Sequence, residues 1–435
     1  MQNSILEIAK TAAPACIARA KRMNSQSSRI VFYQTENIDC NFENGRLKST
    51  GSKQNLYYRV DAIVNNKKGV AFGNNIDDLD SITEKAISLA KIGSISHFTD
   101  YPEPAPVSKV KTYSEKTASL SREAIIETCK TYSEKLKEYD PELFISAGAE
   151  RSESEKLIIT SSGVSEVIRN TSWGLSGFIQ KTDNTDMLFA GYSRAWRELN
   201  DYYDSELLSG KTIKLIEYSK VHTEPKKGNV TAFLTPYMLH MMLYGFFLGI
   251  NGRNIVKGDS PLKGRIGEKI FCKNLTIVDN PHIDFSRGAC PMSNEGVPSK
   301  ITPLIENGVL KSFLYDLDSA AIDNTEPTGH NSCEAYNTII PAGKQSSDEL
   351  ISQIDEGIYI DGLIGFGQSN IINGDFSCNL GLGFRIQNGK ITGRIKNVML
   401  SGNIYEIFKN NVILSSDIEP TIHTPYALVE GINIS

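Results

Sequence analysis

His330 and Cys333 stand at i and i+3, a spacing that on a helix would put an imidazole and a thiol on one face, where they could share a metal ion. Asn331-Ser332 between them reads as loop, which removes the shared face. His282 with Cys290 is a second pair of the same ligand types, and neither pair is expected to hold a metal. His240 lies among Leu239, Met242, Leu243, Phe246 and Phe247, where an imidazole is either a hydrogen-bonded core or interface group or a ligand. The first role is the expected one. Met241-Met242 would fill core or line a peptide groove, because thioether side chains adapt to varied apolar partners. Common catalytic signatures are missing: there is no G-x-S-x-G elbow, no G-x-x-x-x-G-K-[ST] loop and no H-E-x-x-H. Gly365-Phe-Gly367 lacks the last glycine and the following helix of a dinucleotide fingerprint, so it reads as a turn.

The chain carrying these residues has 435 of them, enough for two or three domains with real cores. A 40% hydrophobic, 22% charged composition excludes the disordered, collagenous and disulfide-scaffold classes. With 46 basic and 51 acidic residues the formal charge is −5, which gives no electrostatic case for nucleic acid or an anionic membrane as partner. Seven cysteines without a C-x-x-C read as reduced thiols of a cytoplasmic protein. The first 23 residues read as an amphipathic helix and not as a signal peptide. Residues 228–252 carry no charge, yet Val230 to Thr235 has strand composition and Thr235-Pro236 opens a helix. That helix, Pro236 to about Ile250, would be ~22 Å long against a hydrocarbon core of ~30 Å, so it is expected in a core.

In the first half, Arg29–Thr35, Asn37–Leu47 through Asn44-Gly45, and Leu56–Phe72 through Asn65–Gly69 read as antiparallel strands, with a helix after Asp80. Beyond the proline-rich connector 101–106 and a helix near Ser121–Tyr139, the order returns. Leu143–Ala149, Lys156–Thr160, Val164–Thr171 and Leu175–Tyr192 read as strands, and Ser205–Ser219 as a helix. This is either a duplicated sheet-plus-helix unit or one larger mixed sheet with helices on one face. Lys220–Gly228 marks the expected boundary, giving an α+β domain over 1–222 and a mostly antiparallel β domain, barrel or sandwich, over 223–435. Within the latter, a helix is expected near Ser347–Glu356, and Asn307-Gly308 and Asn388-Gly389 are hairpin signals.

Asn294-Glu-Gly-Val-Pro298, Leu304-Ile-Glu-Asn-Gly-Val-Leu310, Gly374-Asp-Phe-Ser377, Ile386-Gln-Asn-Gly-Lys-Ile391 and Leu400-Ser-Gly-Asn403 with Phe408-Lys-Asn410 resemble the motifs of the TldD/PmbA family. Asn44-Gly-Arg-Leu47 and Tyr58-Arg-Val60 fit its N-terminal positions, so the resemblance spans nearly the whole chain. It implies one of two related subunits. TldD is a zinc peptidase with an H-E-x-x-x-H helix and a later cysteine; PmbA, also called TldE, is similar without those ligands. Together they resemble an intracellular heterodimeric protease acting on unfolded peptides. An older family name, modulator of DNA gyrase, is read as an indirect association.

Set against that motif, His240 is followed by Met241 in place of the glutamate and Gly245 in place of the second histidine, and residues 411–435 hold no cysteine. Gly258–Leu262, Gly264–Phe271 and Leu275–Pro281 look like the PmbA version. The resemblance therefore implies a non-catalytic subunit with no catalytic residue, no metal ligand and no cofactor, pairing with a TldD-like chain. The alternatives are a stand-alone homodimeric peptide-binding or regulatory protein, and an independent peptidase with a different site at Glu295, His330 or Cys333. Glu295, where the family keeps an acid-glycine pair, is read as an exposed carboxylate that binds backbone N–H groups in a turn before Pro298 or touches substrate. Glu295 and His330 are the expected cleft contacts.

Overall fold

The computed structural model describes residues 5–183, 186–199 and 205–435. In the first half, α1 (Ile5–Arg22), β1 (Ser27–Glu43), β2 (Arg46–Val64), β3 (Lys67–Gly73) and α2 (Leu79–Ala90) come first. After α3 (Glu115–Ala118) follow α4 (Arg122–Tyr139), β4 (Phe144–Thr160), β5 (Ser165–Asp183), β6 (Asp186–Trp196) and α5 (Ser205–Ser219). The strands form one antiparallel sheet in the order β3-β2-β1-β4-β5-β6, symmetric about the central β1–β4 pair. A helix, three strands and a helix thus occur twice, with the first strand of each set at the centre. Asn44-Gly45 and Asn65-Asn66 make the first two hairpin turns, all four residues at positive φ as a type I′ turn requires.

The strands are longer than the sequence reading made them. β1 and β4 run unbroken for 17 residues each, where breaks were expected after Thr35 and Ala149. Their middles are polar but paired across the ladder, Arg151 reaching Glu36 at 3.3 Å and Ser152 bonding Asn37 at 2.7 Å. Leu175–Tyr192 is not one strand: Asp183 at the end of β5 pairs with Asp186 at the start of β6, and residues 184–185 lie outside the described ones.

One face of this sheet is covered by helices. Ile30, Phe32, Tyr58, Val60, Leu157 and Ile159 pack on the small-residue stripe Ala9, Ala13, Cys16 and Ala20 of α1 and on Ala86, Ile87 and Ala90 of α2. Trp173, Leu175, Ile179 and Leu188 pack on Ile125, Cys129, Tyr132 and Leu136 of α4 and on Leu208 and Leu215 of α5. The pairing register puts Phe144, Phe178, Met187 and Phe189 together on the opposite face, and all four are exposed.

The second half begins with β7 (Gly228–Leu234), α6 (Pro236–Met242), α7 (Tyr244–Gly249), α8 (Gly252–Lys257), β8 (Ile277–Asp279), β9 (Thr302–Glu306) and β10 (Val309–Leu310). It continues through α9 (Leu317–Ile322), β11 (Thr338–Ile339), α10 (Ser347–Ser352), β12 (Glu356–Ile364), β13 (Asp375–Gln387) and β14 (Lys390–Arg394). The last elements are β15 (Met399–Asn403), α11 (Ile404–Lys409), β16 (Ile413–Glu419) and β17 (Thr424–Ile434). The order β12-β7-β17-β15-β13 closes on itself through the β12–β13 pairing, so the barrel alternative holds. Only β12–β7 in this ring is parallel. The expected single helix from Pro236 to Ile250 is broken at Leu243, whose ψ of −2° ends α6 and starts α7.

Strand alternation links the halves. Ala232, Leu234, Ile358 and Ile360 point into the core shared with Leu239, Met242 and Phe246 of the broken helix. Phe233 and Tyr359, between them, point the other way and join the core of α4, α5 and the large sheet. No helix among the described residues is long and apolar enough to cross a membrane.

Candidate functional site

Thr235 has extended backbone and Pro236 sits at the first helical position, so β7 delivers α6 directly to the surface between the two halves. On α6, His240 Nδ1 lies 3.4 Å from Thr338 Oγ1 and its ring packs 5.3 Å from that of Phe247. Burial lowers its pKa, which favours the neutral ring among these neighbours of the second half. Met241 is partly exposed, and Gly245 is buried. A Cβ at Gly245 would lie 2.2 Å from the carbonyl oxygen of Ile371 and 3.0 Å from Ile404 Cδ1. This end of the helix therefore offers one imidazole, one thioether and a position with no room for a side chain. Zinc does not fit that set, since a catalytic site takes three protein ligands and thioether sulfur suits softer ions. Nowhere among the described residues do three His, Cys, Asp or Glu side chains converge.

The other sequence candidates are scattered. His330 is not a cleft contact: it is fully buried, with Nε2 2.8 Å from Asp279 Oδ2, Nδ1 2.9 Å from Thr328 Oγ1 and its ring stacked on Tyr336. Asp279 Oδ1 accepts the Asn337 N–H at 2.6 Å, so the pair ties β8 to the strand that follows it in space. Cys333 faces elsewhere, accepting the Asp316 N–H at 3.1 Å, and burial pushes its thiol up to about 11. Ser332 between them has φ 55°, which breaks any shared helical face. His282 bonds Ser299 at 3.0 Å and Cys290 bonds the Met292 carbonyl at 3.1 Å, both within one loop.

Glu295 is half-buried, not exposed, and the backbone it holds is not its own turn. Its Oε2 accepts the N–H of Leu317, the first residue of α9, at 2.9 Å. Burial raises its pKa against the opposing pull of Arg29. It borders a cavity of ≈ 300 Å³ in which several charges are paired, Arg29 and Arg59 with Asp61 at 2.7 and 2.6 Å, and Arg253 with Asp316 at 2.7 Å.

The site the sequence reading missed is a cavity of ≈ 560 Å³ beside α6, walled by β6 and α5 of the first half and by β7, β12, β17 and α10 of the second. Tyr192, Tyr218, Phe233, Tyr237, Tyr359 and Tyr426 supply its aromatic walls. Phe233 stacks on Tyr426 with centroids 5.6 Å apart and tilts against Tyr359 at 5.7 Å, which fixes these rings. Arg194 lies over Tyr237 at 4.2 Å and Tyr192 at 5.1 Å, and pairs with Glu419 at 3.1 Å. Asp361 sits at an irregularity of β12, between Ile360 paired to Gly383 and Gly362 paired to Leu382. Such bulges re-aim a side chain. The cavity joins residues from five distant segments, and the one local hint in the sequence is a charge inside the apolar run Ile358-Tyr-Ile-Asp-Gly362.

Burial pushes Asp361 up to about 6, with Arg194 pulling the other way. An acid whose folded-state pKa is raised weakens the fold once it ionises. The penalty is absent below the unfolded value of roughly 3.9 and complete above about 6. Asp361→Asn is therefore expected to gain about 1–2 kcal/mol at neutral pH, after discounting for its partial exposure, and nothing near pH 4. Urea unfolding at the two pH values checks this; an equal change at both would contradict it.

Known proteins match the chain along most of its length. The sequence profile of the PmbA/TldA metallopeptidase C-terminal domain matches residues 227–435, and that of PmbA/TldA metallopeptidase domain 1 matches residues 29–90. An uncharacterized protein of Methanocaldococcus jannaschii is 28% identical over 90% of this chain and 92% of its own. A metalloprotease PmbA homolog of Buchnera aphidicola is 29% identical over 59% of this chain and 57% of its own. The crystal structure of TldE from Thermococcus kodakarensis superposes with a TM-score of 0.89 at 22% identity, covering 98% of this chain and 100% of that one.

Proposed function

The chain belongs to the TldD/PmbA family, and from that premise we propose that it is the non-catalytic, PmbA-like subunit of an intracellular zinc-dependent peptidase. The observation that carries the reading is the helix position where a zinc subunit would place its second histidine. Here it is Gly245, pressed against the backbone at Ile371, with Met241 in the glutamate's place. A chain that cannot hold the metal serves the reaction through binding. It completes a cleft with an H-E-x-x-x-H counterpart and holds an unfolded peptide in extended form.

Two further features support that role. β6 is an outer strand of the large sheet, the position at which an extended peptide can add as a further strand. The exposed Phe144, Phe178, Met187 and Phe189 form an apolar patch of the kind that a partner subunit covers. On mixing with a TldD-like counterpart and an unfolded peptide, cleavage is expected only when both chains are present, and a chelator should stop it. Full-rate cleavage by the counterpart alone, or by this chain alone, would end the proposal.

A further inference from the structure

The polar groups in the cavity beside α6 divide into two sets. Glu419 is occupied, bonded to Arg194 at 3.1 Å, Lys211 at 3.5 Å and Thr421 at 2.9 Å. Asp361 is not: no group among the described residues hydrogen-bonds its carboxylate, and Arg194, the one cation that acts on it, is already paired with Glu419. The hydroxyls of Tyr192, Tyr359 and Tyr426 line the same space, and burial raises all three, with Asp361's negative charge adding to it. A half-buried carboxylate re-aimed by a strand irregularity into a tyrosine-walled cavity, with no hydrogen-bond partner of its own, has a charge that a cationic visitor would balance.

From these contacts we propose that the cavity is a binding site for a primary alkylammonium group, with Asp361 as its counter-ion and the rings of Tyr192, Tyr359 and Tyr426 around it. An ammonium has three donors, one for the carboxylate and two for tyrosine hydroxyls, and a positive charge that favours ring faces. The walls already accept one cation in this way, since the Arg194 guanidinium lies over Tyr237 and Tyr192. A volume of ≈ 560 Å³ admits a lysine side chain or a peptide N-terminus together with the residues beside it. The choice of a peptide as the carrier rests on the peptide-binding reading above. Since β6 contributes Tyr192 and Arg194, the outer strand of the large sheet is itself part of the cavity wall.

Calorimetry on the full chain tests this with five probes: a blocked alanine peptide carrying one lysine, the same peptide with norleucine, an unblocked alanine peptide, its blocked form, and cadaverine. The lysine peptide, the unblocked peptide or both are expected to bind at least about tenfold more tightly than their uncharged counterparts, about 1.4 kcal/mol. Asp361→Asn should remove that difference while its melting temperature stays at or above that of the parent chain. The two ammonium arms tell the lysine source from the N-terminal one. Binding of cadaverine without either peptide would keep the amine site and remove the peptide reading. Charged and uncharged peptides binding alike in both pairs without cadaverine binding, no probe binding to the folded chain, or binding unaffected by Asp361→Asn would each overturn the proposal.

Discussion

The double variant Met241→Glu, Gly245→His, which writes the missing H-E-x-x-x-H pattern back into α6, is expected to bind no zinc and to lose about 4 kcal/mol of stability. Any side chain at Gly245 meets the Ile371 carbonyl oxygen at 2.2 Å and Ile404 at 3.0 Å. Forcing atoms into so tight a contact costs about 1–3 kcal/mol, and a buried imidazole without a partner adds about 1–3 more. Gly245→Ala alone should carry the steric share, because its one extra carbon already makes the 2.2 Å contact. Met241→Glu alone should cost little, since the side chain is 38% exposed. Melting curves for all three variants and metal analysis of the double one check this. Stoichiometric zinc at unchanged stability would show that the segment at Ile371 yields easily, and the argument for a binding-only subunit would fall with it.

Position 245 also marks how far the sequence could be read. A glycine there announces a lost ligand, but not that the space for one is gone, because Ile371 lies more than a hundred residues away and reaches α7 only once the barrel has closed. Local signals served well where structure is local. The Asn44-Gly45, Asn307-Gly308 and Asn388-Gly389 turns and the Thr235-Pro236 helix start are all written within a few residues of where they act. The long strands were less legible because their polar middles depend on partners across the ladder, such as Arg151 with Glu36. His330 and Glu295 were found as residues but misplaced: what buries His330 is Asp279, and what Glu295 holds is the start of α9. The cavity at Asp361 is assembled from both halves, so no single stretch of sequence announces it.

Loss of Glu419 is expected to be the most damaging single charge deletion at the contact between the halves. Glu419 ends β16 and Arg194 lies on β6; their side chains are 8% and 7% exposed and 3.1 Å apart. Burial by itself would raise the Glu419 pKa, yet Arg194 and Lys211 outweigh it and the net shift is downward. The carboxylate therefore contributes stability that is present above its unfolded value, roughly 4.3, and fades as pH falls through the folded one. Glu419→Gln leaves the Arg194 guanidinium buried without its counter-charge, and its Nε already has no partner. Stranding a charge in this way costs about 3–5 kcal/mol. The expected result is a loss of that size by urea unfolding at neutral pH, narrowing steadily as the pH is lowered below about 4. Replacing both residues, Arg194→Met with Glu419→Leu, should recover at least half of the loss, because the buried guanidinium that lacked its counter-charge is then gone. A single variant within about 1 kcal/mol of the parent chain, the size of an exposed pair, would mean that water reaches the pair in solution and that the halves are joined by packing of Phe233, Tyr359 and Phe384 and by other pairs such as Arg394 with Asp186.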